Sequence, residues 1–295
     1  MTTIYRDFDQ ATLDREYSAR GTVPDFTVFS REYTRLSADV RKTLPGRLDV
    51  SYGPHPDEVV DVFPAGENAP VFVFIHGGYW RTLSQRDSVF MAPCFVGEGV
   101  AVVSVNYSLA PAVSIDEIVR QCRAALAWTW RNAVQFGGDP SRIFVGGTSA
   151  GGHLAGMMLA DGWREIFGVP EDLIKGALVL NGLHDLEPVM LSEANEWARL
   201  DPASARRNSP LHNLPPEGAP GCPIIVSWGG SETAEFKRQS EIFAAAWAAR
   251  GWPVDAFERT ERNHFDIVFD LCDAASPLGR ATFEMIRAGE ATAAR

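Results

Sequence analysis

No stretch of this 295-residue chain approaches the ~20 consecutive apolar residues that a membrane span requires. Cysteine is scarce. Cys94, Cys122, Cys222 and Cys272 stand far apart without a C-x-x-C pair, which argues against a disulfide framework or a cysteine metal site. They are expected to be reduced, mostly buried thiols. Positive charge is also short: 27 Lys and Arg against 38 Asp and Glu leave a net charge of -11. That balance disfavours nucleic acid or an anionic membrane as a partner. The opening residues, Met1 to Asp9, lack the apolar core of a secretory signal, so a cytoplasmic location is expected. Internal repeats and low-complexity tracts are absent.

What the chain does have is ample apolar content, 45% of residues, arranged in short runs. Arg47 to Tyr52 and Glu58 to Phe63 flank a Gly-Pro-His-Pro turn and predict an antiparallel hairpin. Five further strands are predicted at Val71–Ile75, Val100–Val105, Ile143–Gly146, Ala177–Leu180 and Ile224–Trp228. Their near-continuous apolar character suits strands covered on both faces, as in a parallel sheet. Helical patterns alternate with them at Ile115 to Val134, Ala150 to Leu159 and Glu235 to Arg250. Such alternation predicts a doubly wound α/β fold in one domain spanning 1–295. Two segments fit the alternation poorly: the first ~45 residues and Glu187 to Asn213. Both are expected to cap the sheet's C-terminal edge. Pro215 to Gly221 reads as a loop, because a core strand follows it directly.

The motif that carries chemistry is Gly147-Thr148-Ser149-Ala150-Gly151, set between a strand and an Ala/Leu/Met-rich helix. In that context Gly-x-Ser-x-Gly marks a nucleophile on a sharp, strained turn. A Cβ on either flanking residue would collide with a neighbouring strand or helix. The helix that follows aims its N-terminal amides at the serine. A serine hydroxyl needs a base, and the base needs an orienting acid; on such a sheet both come later in the chain, acid first. Of the six histidines, His264 fits best as base, in a late polar turn before an apolar helical run. Glu232 is the expected acid, just past the strand Ile224–Trp228; Asp255 and Asp266 are weaker rivals. Glu235 is expected to open the next helix as a first-turn carboxylate. The loop His76-Gly77-Gly78-Tyr79-Trp80 follows an early strand and supplies oxyanion donors at Gly77 and Gly78, with Ala150 as the third. His76 is expected to brace that loop and His153 to pack or cap its helix. His184 and His212, in or near the cap, should be solvated or hydrogen-bonded, and His55 should sit in a turn. The histidines and carboxylates do not cluster at ligand spacing, so no metal or organic cofactor is implied.

With those residues placed, the chain resembles the arylformamidase (kynurenine formamidase) branch of the α/β-hydrolase superfamily. The likeness lies in Phe74 to Trp80, Gly99 to Val103, Asn106 to Pro111, Ser149 to Ala155, His184 to Pro188, Arg207 to Pro210, Glu235 to Ser240 and His264 to Asp266. It runs from about Tyr52 to Asp273, and Leu13 to Ser18 resembles that family's N-terminal stretch. The His-Gly-Gly-x-Trp motif is fairly specific, whereas Ser-Ala-Gly is shared with many esterases. The resemblance implies an α/β-hydrolase fold: a mostly parallel sheet, helices on both faces and a small helical cap. It further implies a Ser149–Glu232–His264 triad that hydrolyses N-formyl arylamines, N-formylkynurenine in the type case. Two departures stand out. Glu232 occupies the place where animal members usually carry Asp, and Thr148 rather than His precedes the nucleophile. Tyr79 and Trp80 are expected to pack beside an aromatic leaving group. A small acyl amide or ester is therefore the expected partner, with a homodimer allowed. Two other readings remain: a carboxylesterase of small-acyl esters, which would use the same residues, and a non-catalytic small-molecule receptor built on a hydrolase fold. Receptors of this kind commonly lose a triad member, and all three candidates stand here.

Overall fold

Alternate residues of one strand enter different cores, and that period of two organises the molecule. Val71, Val73 and Ile75 pack on one face of the sheet, Phe72 and Phe74 on the other. The computed structural model describes residues 3–293. Eight strands form one sheet in the order β1-β2-β4-β3-β5-β6-β7-β8. They are β1 (Arg47–Ser51), β2 (Val59–Phe63), β3 (Ala69–Ile75), β4 (Ala101–Val105), β5 (Gly138–Thr148), β6 (Ile174–Leu180), β7 (Ile224–Gly229) and β8 (Val254–Arg259). β2 runs antiparallel to both β1 and β4, and every other neighbouring pair is parallel. The antiparallel hairpin and the five predicted core strands are all present. β8 was not foreseen, nor was the extension of β5 back to Gly138.

Among the described residues, eleven α-helices surround the sheet. They are α1 (Gln10–Glu16), α2 (Thr27–Thr43), α3 (Ala92–Gly97), α4 (Ile115–Asn132), α5 (Ala150–Leu159), α6 (Arg164–Phe167), α7 (Glu187–Leu191), α8 (Asn195–Ala198), α9 (Pro202–Arg207), α10 (Ala234–Ala248) and α11 (Pro277–Ala293). α4, α5 and α10 pack on the face that holds Val73, through Ile118, Leu154 and Phe243. α2, α3 and α11 cover the other through Val40, Phe95 and Phe283. Local chemistry starts these helices where the sequence says it should. Ser114 accepts from the Glu117 amide at 3.2 Å to cap α4, whose first turn carries Asp116 and Glu117. Thr233 does the same for α10, and Glu235 stands in that helix's first turn as expected. Each large side chain sealed between layers contributes roughly 1.5–3 kcal/mol by leaving water. Truncating Phe144, fully buried in β5, would cost about 3–5 kcal/mol.

Two expectations need correction here. The four cysteines are free, but only Cys122 is buried; Cys94 and Cys222 are half-buried and Cys272 is exposed. His184 is neither solvated nor hydrogen-bonded through its ring. Its imidazole is fully buried and stacked on Phe243 at 4.1 Å, and neither nitrogen has a partner among the described residues. Gln239 holds the His184 backbone instead, accepting its amide at 2.8 Å. Among the described residues no helix is long and apolar enough to cross a membrane.

Candidate active site

Chain order advances from β3 to β4 on one side, then jumps across β3 to β5 and continues the other way. The C-terminal ends of β3 and β5 therefore border the crevice where strand order reverses, the usual ligand site of an open parallel sheet. Gly77 and Gly78 follow β3 there, and Ser149 follows β5. Asn181, Glu232 and His264 come after β6, β7 and β8. Five strand ends thus deliver the site.

Ser149 has φ 57° and ψ -119°, a conformation that an L-residue enters only under strain. The turn is possible because its flanks are glycine. A Cβ on Gly147 would strike the Gly151 carbonyl, and one on Gly151 would strike the Ile75 and His76 carbonyls. The Ser149 amide is held twice, by Leu180 O at 2.9 Å and Asn181 Oδ1 at 2.8 Å. Ser149 Oγ donates to His264 Nε2 at 2.9 Å, and His264 Nδ1 donates to Glu232 Oε2 at 2.8 Å. That places the serine, the imidazole and the carboxylate in one hydrogen-bonded line. His264 is 4% exposed and Glu232 7%. Phe236 and Phe265 set their rings edge-on to the imidazole, at 4.8 and 5.2 Å. Glu232 Oε1 accepts from the Gly229 amide at 2.7 Å and from Asn181 Nδ2 at 3.3 Å. The rival acids lie elsewhere: Asp255 is exposed on β8, and Asp266 accepts from the Asn263 amide at 2.6 Å.

The glycine loop sits beside the serine. A Cβ on Gly77 would lie 3.3 Å from Ser149 Cβ and 2.9 Å from Thr148 O, so only glycine fits without displacement. Gly78 has φ 101°, and Tyr79 and Trp80 are left-handed too, at 53° and 62°. Ala150 begins α5, whose first amides have no intrahelical acceptor. His76 is wholly buried, donates through Nδ1 to Gly77 O at 2.8 Å and stacks on Tyr107. Burial pushes its pKa down to about 4, so the ring is a neutral brace. His153 is likewise buried and lowered to about 4. It accepts from Trp80 Nε1 at 3.1 Å and donates to Asn208 O at 2.7 Å. Trp80 is consequently a core residue at 0% exposure and does not line the cavity over Ser149. Its expected contact with a leaving group is corrected. Tyr79 does line that cavity, as do Gly77, Gly78, Ser149 and His264.

The cavity measures about 240 Å³. Its walls include Tyr17 and Tyr33 from the N-terminal segment and Trp197 from the 187–213 segment. Sequence reasoning missed Asn181. Its carboxamide accepts from the Ser149 amide and Thr148 Oγ1, and donates to Glu232 Oε1 and the His264 carbonyl. The signal was its place: a polar residue one step beyond a buried strand, on the sheet's ligand-binding edge.

Residues 62–167 match the BD-FAE family model. Kynurenine formamidase of Salmo salar is 30% identical over 289 residues, covering 96% of this chain and 95% of that one. Kynurenine formamidase of Danio rerio is 33% identical over 259 residues, covering 86% and 85%. The chain belongs to the kynurenine formamidase family. Its fold is that of the α/β hydrolases, and it is a hydrolase. A solved structure from Silicibacter sp. TM1040, provisionally described as a thioesterase, superposes with TM-score 0.79 at 28% identity. That match covers 91% of this chain and 97% of the other. The Ser149–His264–Glu232 line is the geometry that a serine hydrolase needs.

Proposed function

We propose that this chain hydrolyses N-formylkynurenine to kynurenine and formate, with Ser149 as nucleophile, His264 as base and Glu232 as orienting acid. The observation that carries the reading is the 2.9 and 2.8 Å hydrogen-bonded line through these three groups, at the cavity floor of a kynurenine formamidase family member. His264 takes the Ser149 proton as Oγ attacks the formyl carbon, and the carbonyl electron pair moves onto oxygen. Glu232 keeps the Nδ1 proton in place and stabilises the imidazolium that forms. The amides of Gly77, Gly78 and Ala150 receive the oxyanion, each such donor being worth about 10²–10³ in rate. Collapse breaks the C–N bond, and His264 protonates the departing arylamine. Water then attacks the formyl ester by the same route, releasing formate and restoring the serine. An anilide nitrogen leaves more readily than an alkylamine, and a formyl group adds little bulk, so esterase-like machinery suffices.

Residues 1–45 and 187–213 serve in this reading as two pieces of one cap in a single-domain enzyme, supported by Tyr17, Tyr33 and Trp197 in the cavity wall. The cytoplasm suits its four free thiols. The test is kcat/KM for N-formylkynurenine against 4-nitrophenyl acetate. N-Formylkynurenine is expected to be the better substrate. A roughly thousandfold preference for the ester, about 4 kcal/mol in transition-state binding, would assign the chain to the small-acyl carboxylesterases.

A further inference from the structure

The wall of the cavity above Ser149 carries two cations that form no ion pair with a carboxylate among the described residues. Arg20, in the turn Ala19–Thr22, lies with Cζ 4.1 Å from the ring centroid of Phe26. Arg81, three residues past Gly78, lies with Cζ 3.5 Å from that of Trp197. Both line the cavity that also holds Ser149 and His264. Among the described residues neither guanidinium has a hydrogen bond or an ion pair, although acidic residues outnumber basic ones in this chain, 38 to 27. The two charges feel one another: desolvation, and then the nearby Arg81, lower the pKa of Arg20. Arg20 is exposed and Arg81 half-buried, so water screens part of their repulsion and an anion held by both would relieve the rest. A guanidinium whose carbon is held over an aromatic ring is anchored there by the cation–π attraction while its N–H groups can still donate to a carboxylate. Asp14 and Glu193 line the same cavity. Asp14 is occupied, accepting from the Glu193 amide at 2.7 Å and from Gln10 at 3.0 Å. The Glu193 carboxylate makes no hydrogen bond or ion pair among the described residues, so the wall offers a place for an ammonium as well.

We propose that Arg20 and Arg81 form a carboxylate subsite that recognises the α-amino-acid end of an aryl substrate whose acyl group lies at Ser149. The inference rests on the amidase reading for the acyl end alone. A plain alkyl ester would leave both arginines unused, so the subsite sets specificity for an anionic, amino-acid-bearing arylamide. Arg81 contributes from the oxyanion loop itself and Arg20 from the N-terminal segment. Binding at one end of the substrate therefore depends on two pieces of chain that meet only in the folded protein.

Calorimetric titration of the Ser149→Ala protein tests this with two probes. One is L-kynurenine; the other is 2-aminoacetophenone, which keeps the ring and ketone but lacks the amino-acid tail. L-Kynurenine is expected to bind more tightly. Arg81→Gln and Arg20→Gln should each shrink the affinity ratio by roughly tenfold, the worth of one charge-assisted hydrogen bond on a partly exposed group. Arg→Lys at either position keeps the charge without the planar fork and should restore part of the ratio. Raising the ionic strength from about 0.05 to about 0.5 M should weaken L-kynurenine selectively. An unchanged ratio in the folded double variant, or no preference in the Ser149→Ala protein, overturns the proposal. A native enzyme that ignores N-formylkynurenine while the ratio still collapses in the arginine variants retires the formamidase reading and leaves the subsite standing.

Discussion

Asn181→Ala removes a side chain that touches Ser149, Glu232 and His264 at once. Its carboxamide holds the Ser149 amide at 2.8 Å and Thr148 Oγ1 at 3.0 Å, and reaches the His264 carbonyl at 2.9 Å and Glu232 Oε1 at 3.3 Å. Alanine leaves Ser149 N on Leu180 O and Glu232 Oε1 on the Gly229 amide. The His264 carbonyl loses that donor altogether. A bond to a charged carboxylate is worth about 1.5–3 kcal/mol, and a buried acceptor left unpaired costs about 1–3 kcal/mol. Residue 181 also sits at φ 39°, where asparagine is tolerated and alanine pays about 1 kcal/mol more. The stability loss should therefore be roughly 3.5–7 kcal/mol, read by urea denaturation. For activity, losing the grip on both the acid and the histidine backbone should lower kcat about 10–100-fold, one to two factors of 1.4 kcal/mol. KM should move little, because Asn181 does not line the cavity. Asn181→Asp provides the control that keeps shape and backbone tolerance while turning a donor into a second carboxylate beside Glu232. It should lower kcat at least as far. Kynurenine release followed by absorbance gives both constants, and a folded Asn181→Ala enzyme with kcat within about twofold of native refutes the reasoning.

Ser149→Ala and His264→Ala should each lower kcat by about 10⁴-fold or more without unfolding the protein. Glu232→Ala should cost less than either, and a variant with full activity would mean that another residue orients His264. Mass spectrometry after an organophosphate should find the adduct on Ser149; intact, unlabelled protein would point to the receptor reading. Gly151→Ala drives a methyl into two backbone carbonyls and should cost at least ~3 kcal/mol, whereas Gly97→Ala in α3 meets nothing within 4 Å and should be neutral or better in the same melting experiment. Stability should also depend on acid. His76 and His153 are buried neutral with pKa values of about 4, and burial lowers His184 as well. An unfolded histidine titrates near ~6.5, so the native state refuses protons that the unfolded chain accepts between there and about 4. Stability is whole above that upper value and declines below it, by about 1.4 kcal/mol per pH unit for each ring. Urea midpoints that stay level from pH 7 to 5 would contradict this.

How much of the site was legible follows from where each residue faces. β3 and the core of β5 are buried on both sides, so their apolar runs announced them. β8 is an edge strand whose Asp255 and Glu258 look outward; without an apolar run it reads as loop, although it carries the chain to His264. The polar start of β5, Gly138 to Arg142, escaped for the same reason. Ser149, Glu232 and His264 were readable because strained glycine flanks and chain order leave few alternatives. Asn181 has no motif at all, and only the register of β5 against β6, with Thr148 opposite Leu180, brings it beside Ser149. Trp80 was misread because adjacent residues in a left-handed turn diverge: Tyr79 enters the cavity and Trp80 turns to His153. His184 was misread because an imidazole was expected to seek water or a partner, whereas packing on Phe243 holds it.

The N-terminal segment is the part of the molecule whose role changes most once the contacts are known. Tyr17 is nearly sealed, and burial, followed by the charge of Glu235, raises its pKa far beyond the usual range, so its hydroxyl remains protonated. It donates to Glu235 at 2.8 Å and accepts from Gln239 at 3.0 Å, both on α10. The same Gln239 amide donates to Asp185 O at the start of the 187–213 segment's approach. Tyr79, from the glycine loop, donates to Tyr17 O at 3.0 Å, and Trp197 donates to Tyr79 O at 3.0 Å. Four regions distant in sequence are thus joined through one tyrosine. α10 begins two residues after Glu232, so whatever seats the N-terminal segment also seats the loop that carries the proposed acid. A nucleophile, a histidine and an acid need only the sheet. A mouth selective for one arylamide would need more than the sheet, and the proposed cap pieces are tied to the same helix that follows Glu232.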